Sequence, residues 1–308
     1  MYDNVLQAVG DTPLVRLNRM VGPDCARVLV KFEALNVGGS IKTRTALRMI
    51  ESAEAAGQLG PDSILVEATS GNQGVGLALV GAVKGYRTVI IMPDSVSAER
   101  RYLVQQYGAE VVLVHDEGDI GKCIEECRAL GDRMAAEDPK VFVPGQFTNL
   151  ENPRTHMDQT GPEILAQADG PVHGFCAGVG TGGSLSGVGR VLREANPDIT
   201  IWAVEPDQAA VLSGGLIGTH LQMGIGDGLI PDTLDRSVYD DVYVVTDEEA
   251  LSTARDLARL EGLLCGISSG SNVAAALKLA KKLGPGKTVV TLLPDTGERY
   301  FSTPLFAQ

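Results

Sequence analysis

The sequence predicts an α/β protein made of two open, largely parallel twisted sheets. Three observations point there. Short β-branched runs alternate with longer stretches of helical apolar period. A Pro/Gly/Asn-rich passage, PGQFTNLENP, interrupts that alternation near the middle of the chain. Glycine-rich turns, drawn from 37 glycines, repeatedly join a strand to a helix. Repeated βα units build parallel sheets with helices on both faces.

Taken in order, Val28–Phe32 reads as a strand and Lys42–Ala56 as a helix. Strand Ile64–Glu67 precedes helix Gly74–Lys84, and strand Thr88–Met92 precedes helix Ala98–Tyr107. Strand Glu110–Val114 leads to helix Ile120–Ala136 and strand Val141–Val143. PGQFTNLENP then reads as a connection between two bodies. Beyond it come helix Arg154–Gln167, strand Gly174–Ala177, helix Ser184–Ala195 and strand Thr200–Val204. After a long glycine-containing loop follow strand Val242–Val245, helices Asp247–Glu261 and Asn272–Lys282, and strand Thr288–Leu293. The expected division is a larger domain from 1–36 with 150–308, and a smaller one over 37–149, with a ligand cleft between them.

Composition narrows the function. The 308 residues suit about two domains at ~150 residues each. With 44% apolar and 21% charged residues the chain is ordinary globular protein. Lys and Arg number 26 against 39 Asp and Glu, a net charge of −13. Such a surface repels phosphate backbones and anionic lipid, so neither nucleic acid nor membrane is expected as a partner. The N-terminal MYDNVLQAVGDTPL has no basic and apolar regions of a signal peptide. The best apolar run, Gly74–Val83, is too short for a membrane helix. Five cysteines, an odd number, argue against a disulfide framework and for a reducing cytoplasm. Cys123 and Cys127 have the i, i+4 spacing of half a metal site, but no cluster completes it, so no metal is expected.

Two motifs test phosphate binding. Gly284-Pro285-Gly286-Lys287-Thr288 resembles the end of a P-loop, but Lys281 stands where its first glycine belongs and a strand follows instead of a helix. Gly178-Val179-Gly180-Thr181-Gly182-Gly183 satisfies G-x-G-x-x-G between a strand and a helix, with Glu205 where a ribose-binding acid belongs. By itself it fits a dinucleotide or any phosphate monoester held on backbone N–H groups. Thr181 and Ser184 add hydroxyls that suit a terminal phosphate.

Three further turns decide between these. Asn36-Val37-Gly38-Gly39-Ser40-Ile41-Lys42 sets one lysine at a helix start. By itself it reads as an exposed surface lysine, or else as an amine whose pKa the macrodipole and burial would lower, and a neutral amine is what imine formation needs. Glu67-Ala68-Thr69-Ser70-Gly71-Asn72-Gln73-Gly74 offers hydroxyls and an amide before a helix, a cradle for a small carboxylate or an ordinary cap. Cys265-Gly266-Ile267-Ser268-Ser269-Gly270-Ser271-Asn272 repeats the arrangement.

Together GGSIK, TSGN, GVGTGGSLSGVG and GISSG, with DNVLQAVGDTPLVRLNR and LLPDTGERYFSTPLF at the two ends, resemble the fold-type II pyridoxal-phosphate enzymes. The branch is that of cysteine synthase and cystathionine β-synthase, and the resemblance covers nearly the whole chain. It implies the tryptophan synthase β-like architecture and pyridoxal 5′-phosphate as cofactor. It implies that Lys42 forms the internal aldimine and later takes the Cα proton. Gly180, Thr181, Gly182, Gly183 and Ser184 would hold the phosphate, and Asn72 the ring 3′-oxygen. Ser268, or less readily Ser269, would face the pyridine nitrogen. Thr69, Ser70, Gly71, Asn72, Gln73 and Gln146 would bind the substrate carboxylate. The implied reaction is β-replacement on O-acetylserine or cysteine through an aminoacrylate, in a cytoplasmic homodimer acting on small amino acids.

The chain departs from the family pattern at Val37, Thr43, Ala68 and Gln73, and at Asp227 in GIGDG. An acid facing the cleft would hold a second amino acid's amino group or activate a thiol, and would repel HS⁻. Asp227 therefore reads as a catalytic residue favouring L-cysteine as donor, or else as a solvent-facing loop residue. Asp295 reads as a turn aspartate. The haem segment and regulatory module of some cystathionine synthases are not expected. The alternatives are a sulfide-releasing β-lyase or thioether synthase making lanthionine or cystathionine, a diaminopropionate-type synthase, and a non-catalytic binding relative. Retention of Lys42 with all four loops speaks against the last.

Overall fold

The computed structural model describes residues 1–69, 71–117, 120–215 and 217–306, with the backbone alone at 120 and 121. The chain begins with β1 (Leu14–Arg16), β2 (Arg27–Phe32) and α1 (Lys42–Ala55). Then come β3 (Ile64–Ala68), α2 (Asn72–Lys84), β4 (Arg87–Pro93), α3 (Ala98–Gln106), β5 (Glu110–Val114), α4 (Ile120–Glu137) and β6 (Val141–Phe142). The second half runs α5 (Glu151–Thr155), α6 (Gly161–Gln167), β7 (Gly174–Gly178), α7 (Gly183–Ala195), β8 (Thr200–Pro206) and β9 (Asp241–Val245). It ends with α8 (Asp247–Asp256), α9 (Ile267–Leu283) and β10 (Thr288–Leu293).

Two sheets result. The larger has the order β1-β2-β10-β7-β8-β9 and the smaller β5-β4-β3-β6. All pairings are parallel except β1 with β2. The β-branched runs fill the central strands because those are covered on both faces: all six residues of β10 are buried. On the larger sheet Leu17, Val28, Cys176 and Leu279 belong to one core layer and Phe175, Ala177, Leu185 and Ile201 to the other. The smaller sheet is covered likewise, by Ala46, Val75 and Ile90 in one layer and Val66, Ile91 and Cys127 in the other.

Three elements differ from expectation. Strand β1 is three residues long and pairs antiparallel, Leu14 opposite Lys31, so it carries too little alternation to register as a strand. The helix after the connection starts earlier, at Glu151, and passes through a π-helical turn over His156–Thr160. Helix α9 starts at Ile267, so the serine cluster is its first turn and not a preceding loop. Gly270 explains the composition: a Cβ there would collide with the Ala250 carbonyl, so α8 and α9 approach too closely for a side chain.

Candidate active site

The carboxyl ends of β3, β7 and β10 open onto one cleft, the usual ligand position in α/β sheets. Lys42 stands in its wall as the first residue of α1. Its ammonium lies 3.5 Å from Thr181 Oγ1, and among the described residues it forms no ion pair. Burial lowers its pKa, while the Asp227 charge draws it back up. Burial in turn raises the Asp227 carboxyl, and Lys42 opposes that. The pair therefore leans toward its neutral forms. The larger cause at Lys42 is desolvation, which outweighs the helix-start argument drawn from sequence.

Opposite Lys42 lies the glycine loop before α7. Gly180, Thr181, Gly182 and Ser184 line the cleft. Gly182 has φ +75° and an added Cβ on Gly180 would strike the Gly224 carbonyl, so backbone alone fits there. The loop is braced from behind. Asn152 Nδ2 donates to Thr181 Oγ1 at 2.9 Å, and the Thr233 hydroxyl donates to the Thr181 carbonyl. Gly183 turns away from the cleft against the Asn152 side chain. The first N–H groups of α7 thus aim at a space walled by hydroxyls, which suits a phosphate.

The second wall comes from the β3–α2 turn. Thr69, Gly71, Asn72 and Gln73 line the cleft with Gln146 facing them, whereas Ser70 lies outside the described residues. The Gln73 side chain is not presented to the cleft: its Oε1 accepts from Thr45 Oγ1 at 2.9 Å and its Nε2 reaches Met49 Sδ. What Gln73 offers a ligand is backbone. Asn72 Nδ2 donates to Asp295 Oδ2 at 2.7 Å, and its Oδ1 accepts from Arg299. The second hydrogen of that amide nitrogen remains for a ligand.

Ser268 lines the cleft, while Ser269 is buried outside its lining. Asn272, one turn along α9, ties the floor together: its Oδ1 accepts from the Gly178 N–H at 2.7 Å and its Nδ2 donates to the Leu292 carbonyl at 2.9 Å. Asp295 is no surface turn residue. It is fully buried, and Tyr300 Oη as well as Asn72 donates to it. Glu205 belongs to no ribose site; its carboxylate accepts from the Leu212 and Ser213 N–H groups. Among the described residues no group of three metal-ligating side chains occurs. Sequence reasoning missed the bracing roles of Asn152, Thr233 and Asn272: the first and last lie in segments singled out for other reasons, and no local motif marks Thr233.

A single amine beside a phosphate cradle, a small-anion turn and a serine hydroxyl is a donor set that fits pyridoxal 5′-phosphate. The comparisons agree. The family model described as pyridoxal-phosphate dependent enzyme matches residues 5–295. A cysteine synthase of Staphylococcus aureus strain Mu50 is 48% identical over 306 residues, covering 99% of this chain and 97% of that protein. The crystal structure of an O-ureido-L-serine synthase superposes with TM-score 0.94 at 42% identity, covering 99% of this chain and 95% of the other. That of a hydrogen sulfide-producing enzyme from Fusobacterium nucleatum gives TM-score 0.92 at 40% identity, covering 97% and 100%. Fold, cleft chemistry and likeness converge, and the chain belongs to the pyridoxal-phosphate dependent enzymes of fold type II.

Proposed function

We propose that the protein catalyses β-replacement on a β-substituted L-alanine, O-acetylserine or cysteine, in the manner of a cysteine synthase. The observation that carries this reading is Lys42: a desolvated amine without an ion pair among the described residues, set between the glycine loop and the carboxylate turn. Pyridoxal phosphate supplies the electron sink that lets a Cα–H bond ionise and a β-substituent leave. This chain does the rest. Backbone N–H groups of Gly180–Ser184 and the Thr181 hydroxyl would hold the phosphate. Ser268 would give the ring nitrogen a neutral partner, and Asn72 Nδ2 would serve the 3′-oxygen. Thr69, Ser70, Gly71 and the Gln73 backbone, with Gln146, bind the substrate carboxylate. Lys42 Nζ would hold the cofactor aldehyde and, as a desolvated amine, would be the base for the Cα proton. We take 37–149 as a mobile lobe that closes on 1–36 and 150–308 when a carboxylate enters, excluding water.

The experiment is borohydride trapping of the reconstituted protein followed by peptide mass mapping. The cofactor mass should sit on Lys42. A label elsewhere, or none, sinks the reading.

A second reading, sulfide release from L-cysteine with a thiol amino acid as nucleophile, is favoured by Asp227. An outer opening shares Ile124, Phe147 and Asp227 with the cleft and adds Arg128, whose guanidinium sits 5.8 Å from the Phe147 ring centre. A carboxylate and a cation at one mouth match an amino-acid zwitterion. Asp227→Asn should lower sulfide release from cysteine alone about tenfold while sparing O-acetylserine with sulfide. Equal loss in both assays removes this reading. A diaminopropionate-type reaction would show as turnover with an amine in place of a thiol. We place the protein in the cytoplasm, because its five cysteines are free thiols, and take it to be a homodimer by family resemblance, measurable by sedimentation.

A further inference from the structure

Strand β3 pairs with β6 only through Ile64 opposite Val141 and Leu65 opposite Phe142. Where that ladder stops, a side chain takes over. Glu67, in the same strand, is 3% exposed. Its Oε2 accepts from the Gly145 N–H at 2.9 Å and its Oε1 from the Gln146 N–H at 3.4 Å. The chain of contacts continues. The Gln146 carbonyl accepts from Asn152 Nδ2 at 2.9 Å, and that same nitrogen donates to Thr181 Oγ1. Glu67 is followed directly by Ala68 and Thr69, which line the cleft. One carboxylate thus joins the substrate turn to Gln146 and, through Asn152, to the phosphate loop.

We propose that Glu67 is a positioning residue for the substrate carboxylate, holding Gln146 and the Thr69 turn at a fixed separation. The residue type fits the task. Two backbone donors face the side chain, and a carboxylate offers two acceptors where an amide offers one. Charge-assisted bonds of this kind are stronger than neutral ones. The charged group acting on Glu67 is Arg128 of α4, and β4 places Ile90 beside it. Burial pushes the carboxyl up to about 7, offset in part by the two N–H groups and by Arg128. Protonation near neutral pH turns one acceptor into a donor facing an N–H, so the positioning weakens there.

The inference rests on the reading that an amino-acid carboxylate binds at the Thr69 turn. The test uses holoenzyme, wild type against Glu67→Gln, titrated with O-acetylserine while the cofactor absorbance is followed. The half-saturating donor concentration should rise about tenfold, with kcat changed less than about twofold and the resting spectrum unaltered. Wild-type donor affinity should improve as pH rises across roughly 6 to 8, and Glu67→Gln should lose that improvement. If Glu67→Gln does not fold, Glu67→Asp replaces it: the shortened carboxylate should raise the half-saturating donor concentration and shift the midpoint of the pH dependence, and an unchanged midpoint and affinity overturn the inference. Unchanged affinity and an unchanged pH profile in the variant overturn the inference. A wild type whose spectrum ignores every amino acid overturns the underlying reading instead.

Discussion

Lys42 and Arg44 stand two residues apart on one helix, and the protein treats their charges in opposite ways. Arg44 is buried and fully partnered. Its guanidinium meets Glu33 at 2.9 Å and Glu163 at 2.6 Å, and donates to Thr12 Oγ1. Lys31 joins Glu163 from the other side at 2.7 Å. Burial pushes Glu163 up, but Arg44 and Lys31 more than offset it and hold it at about 2. Lys42 has a single hydroxyl at 3.5 Å and a depressed pKa. The first arrangement anchors α1 to β2 and α6. The second leaves a desolvated amine at the end of the anchored helix, the one proposed above to react. Uncompensated charge is therefore the mark of chemistry here, and compensated charge the mark of scaffold.

That contrast can be broken from either side. Lys42→Ala should abolish β-replacement, a loss of more than about a thousandfold, while leaving the thermal midpoint within a few degrees of wild type. A stable variant that still turns over would put the reactive amine elsewhere. Arg44→Met should do the reverse. It strands Glu33 without its cation and should cost about 3–5 kcal/mol in denaturant unfolding. A loss under about 1 kcal/mol would mean the network contributes little.

Two carboxylates sharpen the comparison by titration. Folded Glu67 keeps its proton up to about 7, whereas the unfolded group ionises near 4.5. Stability should therefore fall as pH rises through that window, by about 3 kcal/mol from this group. Urea midpoints at both ends of the window check it, and Glu67→Gln should flatten the slope. Glu163 has the opposite sign. Its contribution is present above 4.5 and disappears as pH falls toward about 2, by less than a fully buried group would give because it is partly solvated. Glu163→Gln should leave the neutral-to-alkaline slope unchanged.

Much of this was legible in the residues. The βα alternation marked the strand cores, because β-branched runs fit strands covered on both faces. The turns holding Lys42, Asn72, Gly180–Ser184 and Ser268 stood out because each packs several special residues into one short segment. Glu67, Asn152 and Asp295 carried no such signal as working groups. Their partners come from 78, 29 and 223 residues away, for Gly145, Thr181 and Asn72 respectively. Gln73 looked available for the same reason: only the packed helices reveal that Thr45 occupies its amide oxygen.

The strand order has a consequence for chain closure. β10 lies between β2 and β7, at the middle of the larger sheet, yet it follows the other nine named strands in sequence. Its neighbour β2 lies far upstream, so the β2–β10 pairing closes a much longer stretch of chain than any pairing in the smaller sheet. The smaller sheet is contiguous in sequence. The floor around Ser268 and Asn272 rests on that long-range pairing, since Asn272 Nδ2 bonds the Leu292 carbonyl of β10.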